Sequence, residues 1–391
     1  MTALVLGAKW GLVTSANYAR ALGPLKLLLF LALLALTLTG PEVRAIIAAM
    51  LADAYLQVSV FVAATLGVIY TIEHRTRSDV AVILDRHRAW QVPIAATLGA
   101  LPGCGGAVVV VMQYVRGNIS FGALVAVLTA TMGDAAFLLL AAEPRTGLAI
   151  FVLGAIVGII SGFVTDALHG RDFLRIRASK AEIAAAASRQ SEGSFAALHP
   201  LWIALAVPGL VLGILDLMTI DTDALFGPLA SYGPTQILGV TGALLAFGLW
   251  AFDPAKSFDP GAARGCTPRV RTIDTTNFVT VWVIVGFLIY ELGVHFTGVD
   301  LAAAFDVWAP LIPLLAVLVG FLPGCGPQIV VTTLYISDVM PLSGQLGNAI
   351  SNDGDALFPA LAIAPKAALV ATLYSAVPAL IVAYGWFLLL E

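Results

Sequence analysis

Charge is what this chain lacks. Only 11% of its 391 residues are Asp, Glu, Lys or Arg, while 60% are hydrophobic and mean hydropathy is +0.95. Soluble domains carry charge on about a quarter of their residues, so that class is excluded. Cysteine is scarce too. The three present build no disulfide framework, and Cys266, in a charged loop, reads as an incidental thiol. No Gly-x-x-x-x-Gly-Lys-Ser/Thr run occurs, which argues against a built-in ATPase. The net charge of −4 says little, because in such a chain the placement of Lys and Arg carries the information.

What the chain has instead is apolar length. A helix crosses a bilayer core with about 20 apolar residues. Runs of that kind, bounded by charge, Pro or Gly, fall at 24–40, 53–73, 91–115, 119–142, 147–167, 199–219, 235–252, 277–297, 307–336, 342–364 and 367–390. They describe an all-α polytopic membrane protein. Lys9, Arg20 and Lys26 precede the first run in the manner of a signal peptide, but Thr39-Gly40-Pro41-Glu42 offers no small-residue cleavage site, so the run is read as a span. Trp10, Trp90, Trp202, Trp282 and Trp308 fall near run ends, as interfacial aromatics do. Lys180–Phe195, rich in Ala and Ser, reads as a short helix or flexible link.

The segment Leu-Pro-Gly-Cys-Gly occurs twice, at Leu101–Gly105 and Leu322–Gly326, an offset of 221. At that offset Pro102–Arg145 lies on Pro323–Lys366 without a gap, and 14 of the 44 pairs are identical. Tyr114 falls on Tyr335, Gly133-Asp134-Ala135 on Gly354-Asp355-Ala356 and Phe137 on Phe358. An internal repeat broken by Gly and Pro at matching places is the best sequence pointer to a transporter's binding site.

Charge then orients the repeats. Loop 74–90 holds Arg75, Arg77, Arg86 and Arg88; loop 168–198 holds Arg171, Arg175, Arg177, Lys180 and Arg189; loop 253–276 holds Lys256, Arg264, Arg269 and Arg271. The positive-inside rule puts all three in the cytoplasm. Three runs separate the first two loops, so one must enter and leave on the same side. Run 91–115 is centred on Pro102-Gly103-Cys104-Gly105-Gly106. Each flank is about 15 Å of helix, half a bilayer. It is predicted to be a re-entrant hairpin, and 307–336 likewise, with tips that must be buried or line a wet cavity. With both hairpins, 18 of the 20 Lys and Arg residues fall on the cytoplasmic side.

The expected fold is therefore nine transmembrane helices plus two re-entrant hairpins in two inverted-topology repeats. Residues 1–167 form the first repeat (hairpin 91–115, acidic span 119–142), 168–198 a cytoplasmic link, and 199–234 a connecting helix and outer loop. Residues 235–391 form the second (hairpin 307–336, acidic span 342–364). The N-terminus is expected in the cytoplasm and the C-terminus outside.

Each hairpin precedes a span with a polar interruption: Thr131-Met132-Gly133-Asp134 in one, Ser351-Asn352-Asp353-Gly354-Asp355 in the other. A carboxylate at bilayer depth costs ~3 kcal/mol, and no Lys or Arg stands in these cores to offset it. Asp134 and Asp355, at equivalent positions, read as functional rather than as helix caps. Asp353 faces Met132 in the other repeat and reads as a ligand or as a cap for a break at Gly354. Gln345, Asn348, Asn352 and Asp355 follow helical spacing along one face. Asn348 and Asn352 read as ligands or as interhelical hydrogen-bond glue. Cys104 and Cys325, at the tips, are soft metal ligands if ionised and small apolar filler if not. Gln328 is a further candidate, since a lone amide near the midplane wants a partner. Carboxylates with amide and carbonyl oxygens suit a divalent ion such as Mn²⁺, and any thiol shifts the preference towards softer metals.

The two Cys-containing hairpins, each followed by an intramembrane acidic segment, resemble the manganese transporter family, also described as ten-span heavy-metal exporters with arsenic-efflux-like relatives. The likeness is strict over both repeat cores. It implies outward secondary transport of a metal across a bacterial inner membrane, with Cys104, Asp134, Cys325, Asp353 and Asp355 as the matching site positions. Nine spans plus hairpins departs from a ten-span description. No resident cofactor is expected, only the transported ion, with H⁺ or Na⁺ as the coupling ion. The expected partners are the lipid bilayer, that ion and a second copy in a homodimer; no nucleic acid is expected. Two other readings compete. One is an anion or oxyanion permease using the hairpin N-termini, with Asp residues binding Na⁺ or H⁺. The other is an intramembrane aspartyl protease with Asp134 and Asp355 as its dyad, but Asn352 stands where that motif has its first Gly.

Overall fold

Every secondary-structure element among the described residues is helical. The computed structural model describes residues 15–76, 88–174, 195–218, 220–252, 267–298, 305 and 308–391; Trp10, Cys266 and most of the three basic loops lie outside them. Helices α1 (Ser15–Leu36), α2 (Pro41–Asp53) and α3 (Val60–Thr76) come first, the last two joined by a π-helical turn, Ala54–Ser59. Next are α4 (Gln91–Gly99), α5 (Gly105–Val115), α6 (Phe121–Ala130), α7 (Ala135–Ala142) and α8 (Pro144–His169). Helices α9 (His199–Leu217), α10 (Pro234–Phe252) and α11 (Pro268–Thr297) follow. The chain finishes with α12 (Ile312–Gly320), α13 (Gly326–Ile336), α14 (Leu342–Ser351), α15 (Leu357–Ile363) and α16 (Pro365–Leu390). Proline opens α2, α8, α11 and α16, where its missing N–H costs nothing.

The offset of 221 read from sequence reappears in the helix boundaries. Residues 91–99, 105–115, 121–130 and 144–169 are helical, and so are 312–320, 326–336, 342–351 and 365–390. The run 91–115 folds as two helices around a turn, and 119–142 breaks into α6 and α7 with a bend of 40°. Both equivalents do the same near 321–325 and 352–356. Among the described residues six helices suit a bilayer crossing by length and composition, α2 through α3 counting as one, and the bent α6–α7 pair makes a seventh.

Small residues set how these helices meet. On α8, Gly154, Gly158 and Gly162 recur every fourth residue and face α6. A methyl at Gly158 would lie 2.6 Å from the Ala126 carbonyl oxygen, so only glycine permits this approach. The opposite stripe, Leu148, Val152, Ile156 and Ile160, is exposed and apolar, as a lipid-facing surface requires. In the second repeat Ser375, Ala379 and Ala383 on α16 play the part of the glycines and are fully buried.

Caps and ties repeat the pattern. Asp166, late in α8, accepts from Ser120 Oγ (2.7 Å) and the Gly122 amide (2.8 Å) at the start of α6. Glu391, after α16, accepts from the Ser343 amide (3.0 Å) and Oγ (2.5 Å) at the start of α14. Each acid satisfies orphan N–H groups of a broken helix. Tyr114 donates to the Leu174 carbonyl just beyond the C-terminal end of α8, at 2.7 Å. Its equivalent, Tyr335, donates to Glu143 just before the N-terminal end of that same helix, at 2.9 Å. The bases of the two hairpins therefore sit at opposite ends of a helix about 39 Å long. At the Leu174 end, Arg116 donates to Tyr70 (2.5 Å) and Arg271 pairs with Glu73 (3.0 Å), so α3, α5 and α11 bring their basic ends together.

Candidate metal site

Each hairpin tip ends on a cysteine that stands at the N-cap of the outgoing helix: Cys104 before α5 and Cys325 before α13. The breaks after α6 and α14 end on Asp134 and Asp355, just ahead of α7 and α15. A helix starting at each of these four points turns its positive end towards them, which favours anionic thiolate and carboxylate. Both breaks turn through a left-handed glycine, Gly133 (φ 57°) and Gly354 (φ 53°). At Gly133 a side chain would also be crowded: its Cβ would lie 3.1 Å from Cys325 Sγ and 3.4 Å from Cys104 Sγ.

Backbone and amide hydrogen bonds hold the four pieces together. The Gly103 amide donates to the Gly133 carbonyl at 3.1 Å, fastening the first tip to the first break. Asn352 Nδ2 donates to the Met132 carbonyl at 3.1 Å, fastening the second break to the first. The Asn352 Oδ1 accepts from the Gly354 amide at 2.5 Å and shapes the turn.

The result is a cluster of Cys104, Asp134, Cys325 and Asp355 whose ligand atoms all lie within 4.8 Å of one another. The sulfurs are 3.5 Å apart, and Asp355 Oδ2 is 3.4 Å from Cys104 Sγ and 3.1 Å from Cys325 Sγ. Asp134 is 4% exposed and the other three 2% or less. Both oxygens of Asp134 and Oδ1 of Asp355 have no hydrogen-bond partner. A tetrahedral ion with metal–sulfur bonds of about 2.3 Å and metal–oxygen bonds of about 2.0 Å needs edges of about 3.8 Å (S–S) and 3.5 Å (S–O). The three edges among Cys104, Cys325 and Asp355 meet that with shifts of a few tenths of an ångström, and the Asp134 oxygen lies within 4.8 Å of the other three donors.

Apart from Gln328, the other sequence candidates fall outside this cluster. Asp353 is fully buried but points to α16, where Thr372 Oγ1 donates to its Oδ2; its Oδ1 has no partner. The left-handed Gly354 between them turns Asp353 and Asp355 apart. Asn348 Nδ2 donates to the Ala316 carbonyl of α12 at 3.0 Å, the interhelical glue reading. Asn352 shapes the break, as above. The expected polar face of Gln345, Asn348, Asn352 and Asp355 is not continuous, because α14 stops at Ser351 and the last two stand in the break. Gln328 is fully buried beside the cluster with neither amide atom partnered. Thr372 escapes the sequence reading and carries no signal in it, while Gly133 enters that reading only through its recurrence as Gly354 and not as a residue beside the thiols.

A family model described as "Putative, 10TM heavy-metal exporter" matches residues 42–390. No curated protein and no solved structure matches the chain. Among the described residues of the matched range the structure has eight long or broken helices and two hairpins, which together make ten segments. Helix α1 lies before the matched residues.

Proposed function

The chain belongs to this heavy-metal exporter family, and we propose that it exports a thiophilic divalent cation through the Cys104–Asp134–Cys325–Asp355 cage. The observation that carries the reading is the convergence of four buried donors within 4.8 Å, one cysteine and one aspartate from each repeat. Two sulfurs favour Zn²⁺ or Cd²⁺ over Mn²⁺, which prefers an all-oxygen shell. Four buried acidic groups with no basic partner are costly without a cation or protons, and dispensable to a protein that carries neither.

We further propose alternating access in the bacterial inner membrane. Tyr114 and Tyr335, anchored at opposite ends of α8, support inverted repeats and hairpins that open to opposite sides. Rocking one repeat against the other would split the cage into two halves of one thiol and one carboxylate, and a half-cage releases its ion. Protons taken up by the emptied ligands would couple efflux to proton entry. An oxyanion in the same place would meet two carboxylates, and a protease dyad would have two thiols in its way.

The test is metal efflux from proteoliposomes, with Cys104→Ser and Asp134→Asn as variants. Zn²⁺ or Cd²⁺ transport abolished in both supports the reading. Transport of an oxyanion alone, or metal transport unchanged in both variants, overturns it.

A further inference from the structure

The cage is nearly symmetric, but one neighbouring side chain is not. Gln328 follows Cys325 by three residues, and the matching residue after Cys104 is Ala107. Gln328 is 0% exposed, and both Oε1 and Nε2 are without a partner. A buried amide left unpaired is costly, and it persists where a guest completes it. The ordinary use of Gln at the third position of a helix is to reach back to the N-cap amide. Gln328 holds that position on α13 and does not do so.

Its oxygen points the same way as the thiols. The site of a Cβ on Gly133 lies 3.5 Å from Gln328 Oε1, 3.1 Å from Cys325 Sγ and 3.4 Å from Cys104 Sγ. Three donor atoms from two hairpins thus lie within 3.5 Å of one point beside Gly133, which puts Gln328 Oε1 on the same side of the break as both thiols.

We infer that Gln328 Oε1 is a fifth donor to the cargo, supplied by the second repeat alone. This rests on the four-residue cage reading and adds to it a geometry and a selectivity. Two sulfurs and three oxygens suit borderline divalent ions that accept five donors, Zn²⁺ and Co²⁺ among them. They discriminate against ions such as Cu⁺ that prefer a shell of sulfur alone. The extra donor also keeps the ion on the second repeat when the two repeats part, which gives release a preferred side.

Co²⁺ titrated into the purified full-length protein tests this, read by optical absorption. Sulfur-to-cobalt charge transfer reports the cage, and the strength of the d–d bands reports coordination number, strong for four ligands and weak for five. The expected result is charge transfer with weak d–d bands in the parent protein. Gln328→Ala keeps the charge transfer, strengthens the d–d bands and loses about 10–100-fold in Co²⁺ affinity. Gln328→Glu, which retains an oxygen, keeps the weak bands. Should the Ala variant be unstable, Gln328→Leu removes the oxygen at similar volume. Parent-like d–d bands in Q328A and Q328L overturn the fifth-donor role. Absence of charge transfer in the parent, or its survival in the Cys104→Ser/Cys325→Ser double variant, overturns the cage instead.

Discussion

Asp355→Asn perturbs the centre of the cage and has a two-sided outcome. Asp355 Oδ2 lies 3.1 Å and 3.4 Å from the two thiol sulfurs, and the residue is fully buried. Asparagine keeps the shape and removes the anionic donor. Without metal the variant is relieved of a carboxylate at bilayer depth, a placement that costs ~3 kcal/mol. The metal-free variant is therefore expected to melt at the parent temperature or above it. With metal the sign reverses. An ion at 100 times its Kd stabilises the parent by about 2.7 kcal/mol. If the lost ligand weakens binding by about 100-fold, the ratio falls to about 1 and the stabilisation to about 0.4 kcal/mol. Thermal unfolding of the full chain in detergent, with and without Cd²⁺, measures both numbers. A metal-induced shift that survives the substitution refutes the role of Asp355 as a ligand. A metal-free variant that melts well below the parent refutes the idea that its charge is a burden carried for the ion.

Three further outcomes follow from the same geometry. Gly133→Ala places a methyl 3.1–3.4 Å from both sulfurs at a left-handed backbone position, so metal binding should fall at least tenfold by isothermal titration; unchanged affinity would mean the guest does not use that space. Cys104 and Cys325, 3.5 Å apart, should be joined by hydrogen peroxide when metal-free, the two thiols giving up two electrons and two protons as the peroxide becomes water. Bound Cd²⁺ should block that loss of 2 Da in intact mass, and equal oxidation with and without Cd²⁺ would speak against shared ligation. Gly158→Leu, whose Cβ would lie 2.6 Å from the Ala126 carbonyl, should cost about 1–3 kcal/mol in thermal unfolding by forcing α6 and α8 apart; an unchanged melting temperature would show that the seam is looser than it looks.

Much of this architecture is legible in sequence because the features that break a helix are the ones the two halves share. Gly103, Cys104 and Gly133 recur as Gly324, Cys325 and Gly354, so the positions of the turns can be read by laying one half on the other. Lys and Arg placement singled out 91–115 as the run that turns back, since charge on loops is a long-range constraint that survives without coordinates. The site is only half legible. Side-chain direction at a break depends on one or two backbone angles, and no pattern of residue types says that Asp355 faces the thiols while Asp353 faces Thr372. Helical spacing misled for the same reason: it extends α14 through Asn352 and Asp355, where the backbone has already left the helix. The reach of Asp355 across to Cys104 of the other repeat is tertiary and has no sequence signature.

The meeting of equivalent residues explains why the site lies where it does. Cys104 touches Cys325, and Thr280 Oγ1 donates to Ser59 Oγ at 2.7 Å, both pairs separated by 221 residues. Residues that are copies of each other can touch only near an axis that relates the two halves. The four cage residues alone would hold a guest near that axis by both repeats on equal terms, so that neither could move relative to the other without weakening its grip. Symmetry alone, however, gives no direction to the motion. Direction needs a difference between the halves, and three stand at or near the tips and breaks: Gln328 against Ala107, Asn352 against Thr131, Asp353 against Met132. Each adds polar capacity to the second repeat. On the proposed reading, the internal repeat accounts for the paired donors of the cage, and the polar replacements in one copy would let it favour one side.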